Sequence, residues 1–273
     1  MNILHLTTHL NVGGITSYLL TLSKQLIKAG HRVYIVSSGG EMVGTFESVG
    51  VKCINLPIKT KSELSPRIYW ALPAIVDCIK KYKIDAIHSH TRITQVMGFL
   101  LQKLTNVKYV ATCHGFFKPR TSRRVFPCWG EKTIAISDQV RDHLIGDFGL
   151  SSERVILIHN GIDLEDFSEV NLEIKMQKRK TLGLDEGPIL GIIARLSDVK
   201  GHSVLLDAMS QIVSHFSTVK LLIVGQGKME DQLKAQVAHL NLGRHVHFYP
   251  VVNRTGDFLS VFDVFVMPSL QEG

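Results

Sequence analysis

Two cations stand in one loop after an apolar run: Arg195 and Lys200, within Ala194-Arg195-Leu196-Ser197-Asp198-Val199-Lys200-Gly201. A guanidinium can fork onto two phosphate oxygens, and an ammonium beside it acts as a point charge. Taken singly, each reads first as an ordinary surface residue. Nearer the start, Asn11-Val12-Gly13-Gly14 joins another apolar run to a helix-length segment. Glycine lets the backbone approach a ligand, and a helix N-terminus offers free N–H groups and a positive dipole end, so a diphosphate would be held there. The plain alternative is a tight turn. The spacing departs from GxGxxG, and no GxxxxGK[ST] occurs, which weakens dinucleotide-binding and ATP-hydrolysing readings. Val224-Gly225-Gln226-Gly227 is a second loop able to let a ligand approach, and the last apolar run ends Met267-Pro268-Ser269-Leu270-Gln271-Glu272-Gly273.

The thirteen histidines include no HExxH or similar ligand spacing. His88 and His90 follow an apolar run and could line a cleft, or could be satisfied loop residues. His245 and His247 alternate on a short run and read as structural. Between Phe116 and Trp129, four aromatics (Phe116, Phe117, Phe126, Trp129) mix with Lys118, Arg120, Arg123 and Arg124. Aromatics with basic neighbours suit a lipid-linked or anionic acceptor, whereas a solvated loop with a few buried anchors needs no partner. The same composition could meet single-stranded nucleic acid, but no nucleic-acid module accompanies it.

Elements must position these residues. Short β-branched or apolar runs (3–6, 32–37, 52–56, 86–88, 108–112, 132–136 and 155–158) alternate with helical stretches at 14–29, 66–82, 93–104 and 138–147. Ser65-Pro66 places a cap before a first-turn proline, and Ser137 precedes Asp138. Alternation at this length implies parallel strands joined by crossover helices, hence a doubly wound sheet. The rhythm breaks over residues 161–188, which are charged and hold no clear strand. It resumes with strands at 189–194, 220–224, 245–248 and 264–267 and helices at 201–216, 229–240 and near 256–261. The expected organisation is an N-terminal Rossmann-like domain over 1–160, a linker over 161–188 and a second Rossmann-like domain over 189–273.

With 273 residues, 45% hydrophobic content and 22 glycines, the chain has the composition of a globular protein, not a disordered or fibrous one. No apolar run reaches the ~18 residues of a spanning helix, and the first residues lack the pattern of a signal peptide. Cys53, Cys78, Cys113 and Cys128 form no CxxC pair. They read as reduced thiols of a cytoplasmic protein. Residues 1–160 hold 20 Lys/Arg against 10 Asp/Glu, whereas the whole chain carries only +7. A basic half suggests an anionic partner, here a phosphorylated substrate or peripheral contact with the inner face of an anionic membrane. Scattered solvated lysines would produce the same count.

The ordered series Gly13-Gly14, Ala111-Thr112-Cys113-His114-Gly115, Ile158-His159-Asn160-Gly161-Ile162-Asp163, Ala194-Arg195 with Lys200-Gly201, Val224-Gly225-Gln226-Gly227, and Pro268-Ser269 with Glu272-Gly273 resembles the family-4 retaining glycosyltransferases of the GT-B fold. The resemblance covers the whole chain. It implies an α/β protein of two doubly wound Rossmann-like domains facing a cleft, the second incomplete. It also implies transfer of a sugar, with retention, from a nucleotide-diphosphate-sugar donor to a glycan or lipid-linked acceptor of the cell envelope. On that resemblance Arg195 and Lys200 neutralise the leaving diphosphate, His114 faces the donor sugar and the acceptor, and Glu272 bonds sugar hydroxyls. Gly13, Gly14, Gly225, Gly227 and Val251 would lie at the donor, and His88, His90, Phe116, Arg120 and Arg124 on the acceptor side.

No hydrophobic-flanked Asp-x-Asp occurs, so the two cations would replace a divalent metal and no cofactor is expected. The family usually has Gly-x-Val where this chain has Pro250-Val251-Val252, and the sequence stops one residue after Glu272. That end is read as a cut through the donor site, before a second glutamate and a closing helix. Two alternatives remain at this level: a GT-B-like sugar-nucleotide epimerase, and a remnant that binds donor or acceptor without turnover.

Overall fold

The computed structural model describes the chain except residues 120, 168–171, 185–186, 251–254 and 273. It forms two compact units, Met1–Ile162 and Asp163–Glu272. Arg120, Val251 and Gly273, singled out above, lie outside the described residues.

The first unit alternates β1 (Asn2–Leu6), α1 (Gly14–Lys28), β2 (Arg32–Ser37), α2 (Val43–Ser48), β3 (Lys52–Asn55), α3 (Pro66–Lys81), β4 (Ala86–Ser89), α4 (Arg92–Thr105), β5 (Lys108–Cys113), α5 (Thr121–Val125), β6 (Lys132–Ala135), α6 (Asp138–Gly146) and β7 (Val155–Leu157). The sheet runs β3-β2-β1-β4-β5-β6-β7, every pair parallel. Strands covered on both faces read as unbroken apolar runs. Val33 through Ser37 of β2 are accordingly all buried. Leu4, Leu6, Val36, Ile75, Ile87 and Tyr109 belong to one core cluster of this unit, and Leu19, Ile35 and Phe46 to another. The Tyr109 ring lies where a side chain at Gly98 would stand, and its hydroxyl donates to the carbonyls of Gln95 and Cys128 at 3.1 and 3.0 Å. The Ser137 side chain accepts from the Val140 N–H at 3.2 Å and caps α6. Ser65 holds the capping position of α3, but its side chain makes no capping bond there.

The second unit holds α7 (Leu172–Thr181), β8 (Ile189–Ile193), α8 (His202–His215), β9 (Lys220–Val224), α9 (Glu230–His239), β10 (Val246–Tyr249), α10 (Thr255–Leu259) and β11 (Val264–Phe265). Its parallel sheet runs β10-β9-β8-β11 over a core that includes Ile192, Leu206, Leu221 and Ile223. The stretch expected as a linker carries α7, which has no buried residue and is tied to this unit by polar bonds. Arg179 donates to the Val261 carbonyl at 2.7 Å and pairs with Asp263, and Lys175 donates to Asp263 at 3.0 Å. β11 spans two residues, shorter than the four expected.

Both sheets reverse their strand order beside the first strand of the unit, at β1/β4 and at β8/β11. Open α/β sheets bind ligands in the crevice outside the carboxyl ends of the strands at such a point.

Candidate functional site

At the β8/β11 reversal, three loops are laced together through their backbones. The Ala194 and Leu196 N–H groups donate to the carbonyls of Val224 and Gln226 at 3.1 and 3.0 Å, and the Leu270 N–H donates to Val199 at 2.8 Å. The glycines serve this lacing. Gly201 has φ 70°, and a side chain on it would collide with the Pro268 carbonyl. Side chains on Gly225 and Gly227 would collide with the carbonyls of Ala194 and Leu196. A side chain at either position would therefore push these loops apart, whereas glycine lets them close on one another.

The lacing brings three expected residues to one edge. The Lys200 ammonium lies 2.6 Å from both carboxylate oxygens of Glu272. Burial pushes the Glu272 carboxyl up, but the bond and charge of Lys200 outweigh it and hold the group below its usual range. Arg195 is exposed and makes no ion pair or hydrogen bond among the described residues. Its five N–H donors are therefore free for an anion. Beside the loops, a recess of about 150 Å³ is lined by Gly225, Gln226, Glu230, Lys234, Phe248, Tyr249 and Pro250.

At the β1/β4 reversal of the first unit, His5 and His88 face each other in register across the two strands. His90 follows β4, and its ring lies 4.2 Å from that of His88. His5 Nδ1 is 3.0 Å from His90 Nε2, and His90 Nδ1 is 3.2 Å from His114 Nε2. His88 Nε2 lies 2.7 Å from the Thr112 hydroxyl. The Tyr18 ring meets His114 edge-on at 4.9 Å. Burial lowers His5 to about 3 and His114 to about 4, and it holds His88 and His90 well below the usual histidine range with help from their neighbours. All four rings are therefore neutral near pH 7.

His5, His88 and His90 each have a ring nitrogen within 4.8 Å of the other two, so distance alone would let them share a metal ion. Both nitrogens of His90 and one of His88, however, are already engaged in the bonds above. His5 escaped sequence reading because it is an alternating residue of a strand, and only the pairing of β1 with β4 reveals its partners.

Gly13 and Gly14 begin α1, both exposed, with nothing within 4 Å of where their side chains would stand. The first turn of α1 carries no acidic residue and no side-chain cap. His88 and His90 are buried, at 9% and 2% exposure; His88 lies within β4 and His90 just beyond it. Trp129 (2% exposed) is a core residue with Phe117 packed against it, not an interfacial aromatic. The Arg123 guanidinium lies 4.4 Å over the Phe117 ring. Phe116, Phe126 and Arg124 remain exposed. Buried Arg92 fastens this segment, donating to the Phe126 and Pro127 carbonyls at 2.8 and 2.9 Å and to Glu63 at 2.8 Å.

Two doubly wound units, each with polar loops at its point of strand reversal, define the GT-B fold. The chain belongs to Glycosyltransferase Family 4, which it matches over residues 12–166, and it matches Glycosyl transferases group 1 over residues 174–273. It is similar to an uncharacterized glycosyltransferase of Methanocaldococcus jannaschii, at 27% identity over 96% of this chain and 72% of that one. It is also similar to the UDP-Gal:alpha-D-GlcNAc-diphosphoundecaprenol alpha-1,3-galactosyltransferase of Escherichia coli, at 26% identity over 74% of this chain and 56% of that one. Among solved structures, Anabaena HepE in complex with UDP-glucose superposes with a TM-score of 0.84 at 20% identity, covering 98% of this chain and 74% of that one. The chain thus spans between about half and three quarters of the length of these proteins. Among the described residues, no helix is long and apolar enough to cross a membrane.

Proposed function

We propose that this chain carries the sugar-transfer machinery of a glycosyltransferase that takes a nucleotide-diphosphate sugar as donor and a glycan or lipid-linked hydroxyl as acceptor, with retention and without a metal. The observation that carries the reading is the edge at β8/β11, where Arg195, without a partner among the described residues, shares a loop with Lys200, which pairs with Glu272. Cleaving a sugar–phosphate bond sends its electron pair to the diphosphate, so charge grows there in the transition state. Fixed cations then stabilise the transition state more than the ground state. Arg195 supplies a planar fork. Lys200 has three N–H donors, so it can keep Glu272 and still donate to a phosphate oxygen. That leaves Glu272 oriented to accept from a sugar hydroxyl. The galactosyltransferase relative and the UDP-glucose complex of the structural neighbour support this donor chemistry, and the diphosphoundecaprenol-linked substrate in the relative's name supports a lipid-linked acceptor.

Calorimetry with a panel of nucleoside-diphosphate sugars tests the reading. One member of the panel should bind wild type and lose affinity in Arg195→Ala, and EDTA should leave binding and turnover intact. Equal binding by the variant, or loss on chelation with recovery in Mg²⁺ or Mn²⁺, would count against it.

A further inference from the structure

The buried histidines of the first unit form a chain with a direction. A neutral imidazole carries one N–H and one lone pair. His90 has both nitrogens engaged, toward His5 at 3.0 Å and toward His114 at 3.2 Å, so it donates at one end and accepts at the other. Two polarities satisfy this. In one, His114 donates to His90, His90 donates to His5, and His5 must carry its proton on Nε2. That nitrogen is buried without a hydrogen-bond partner. In the other, His5 donates from Nδ1 to His90, His90 donates from Nδ1 to His114, and the orphan on His5 is only a lone pair. Orphaned buried N–H groups are rarer than under-satisfied acceptors, so the second polarity is favoured. It places the His114 proton on Nδ1, a nitrogen with no hydrogen bond among the described residues on a ring that is only partly buried. The edge-on Tyr18 ring limits the tilt of His114, and the His88–Thr112 bond fixes the ring that packs on His90.

We propose that His5 and His90 are positioning residues that set the tautomer of His114, so that His114 presents an Nδ1–H donor to an oxygen of the bound ligand. The inference rests on the glycosyltransferase reading, with the family resemblance that sets His114 toward donor and acceptor, only in placing His114 at the ligand. The ligand oxygen must then be an acceptor, as a sugar hydroxyl or phosphate oxygen can be. A bare donor would favour the other tautomer. The four rings remain uncharged, so the device offers direction without a cation beside the reacting sugar.

The tautomer is read directly from two-bond ¹H–¹⁵N correlations in protein labelled at histidine, with the His114 signals assigned by their loss in His114→Asn. His114 should carry its proton on Nδ1 in wild type and move toward Nε2–H in His90→Phe. With a donor in hand, His90→Phe should lower kcat on the order of 10–100-fold, the scale found for partners that orient metal-bound imidazoles, with a smaller change in KM. His90→Gln, whose amide can both donate and accept, should recover part of that loss. Thermal unfolding controls for folding of each variant, and His5→Gln provides a second perturbation at the far end of the chain.

An Nε2–H tautomer in wild type, or an unchanged tautomer in folded His90→Phe, overturns the proposal. So does stoichiometric zinc in the purified protein that is lost in His88→Phe, since a metal would take the nitrogens the chain needs. Wild-type turnover in His114→Asn alongside the expected tautomers would instead defeat the placing of His114 at the ligand.

Discussion

Arg195 and Lys200 share a loop but stand in different surroundings, and their removal should cost differently. Arg195 has no partner among the described residues, so Arg195→Ala removes only what the guanidinium does for a ligand. Lys200→Ala also strands Glu272, whose carboxylate then repels an incoming diphosphate. Both variants should lower turnover ~100-fold or more, with the larger loss of donor affinity in Lys200→Ala. Steady-state kinetics placing either within about threefold of wild type would remove the leaving-group role.

The histidine cluster makes a separate prediction about acid. His5 and His114 titrate near 3 and 4 in the folded chain against 6.5 when unfolded. Folding therefore favours their neutral forms, and this contribution is whole above pH 6.5. As pH falls from 6.5 toward 4, the unfolded chain takes up protons that the folded chain refuses. Each such histidine then costs stability at about 1.4 kcal/mol per pH unit. Burial pushes Asp263 up, but the Ile189 N–H, Lys175 and Arg179 draw it down to about 2, so it acts at lower pH; Glu272, also held below its usual range, adds to the loss only toward the acid end of this window. Urea midpoints should fall between pH 6.5 and 4, less steeply in His5→Gln. A flat profile there would mean the rings are not held neutral.

At the scale of elements, glycines of like appearance divide into two kinds. Gly201→Ala forces a side chain into the Pro268 carbonyl at a left-handed φ, and should cost ~2 kcal/mol or more while displacing Lys200. Gly13→Ala meets nothing within 4 Å on an extended backbone, so the unfolding temperature should barely change. If α1 receives phosphate oxygens, Gly13→Ala should still weaken nucleotide-sugar binding. Equal melting and equal binding for both variants would erase the distinction.

The same contrast explains what the sequence could disclose. Strand-to-helix alternation placed most strands within a residue or two, because parallel strands buried on both faces advertise themselves as apolar runs. It missed α7, a helix without a buried residue whose hold on its unit is polar. Glycine positions located the loops of the second unit, but the collisions that require glycine at 225 and 227 involve carbonyls about 30 residues away and leave no local trace. The Lys200–Glu272 pair spans 72 residues and the His5–His90 bond 85, and only the sheet order brings either together.

At the scale of the whole molecule, the excess of cations over residues 1–160 would favour an anionic surface. Arg92 ties Glu63 to the Phe126 and Pro127 carbonyls, and the segments so joined carry exposed Leu64 (81%), exposed Val125 (79%), Phe126 and Arg124. Trp70, also 79% exposed, lies early in α3, whereas Trp129, the other tryptophan, is buried. Apolar side chains rimmed by cations suit the interface of an anionic bilayer, and a lipid-linked acceptor would be met there. Because Trp129 is shielded, emission changes on adding vesicles report on Trp70. Anionic vesicles should shift emission to the blue and sediment the protein, and neutral vesicles should do neither. The effect should fade as salt rises through 0.1 M, where charges are screened beyond ~10 Å. Leu64→Ser with Val125→Ser should weaken the interaction several-fold while leaving nucleotide-sugar binding unchanged, since neither residue lies at the strand-reversal sites. Identical sedimentation with both vesicle types at low salt, or a shift that persists in Trp70→Phe, would rule out this surface as the membrane contact.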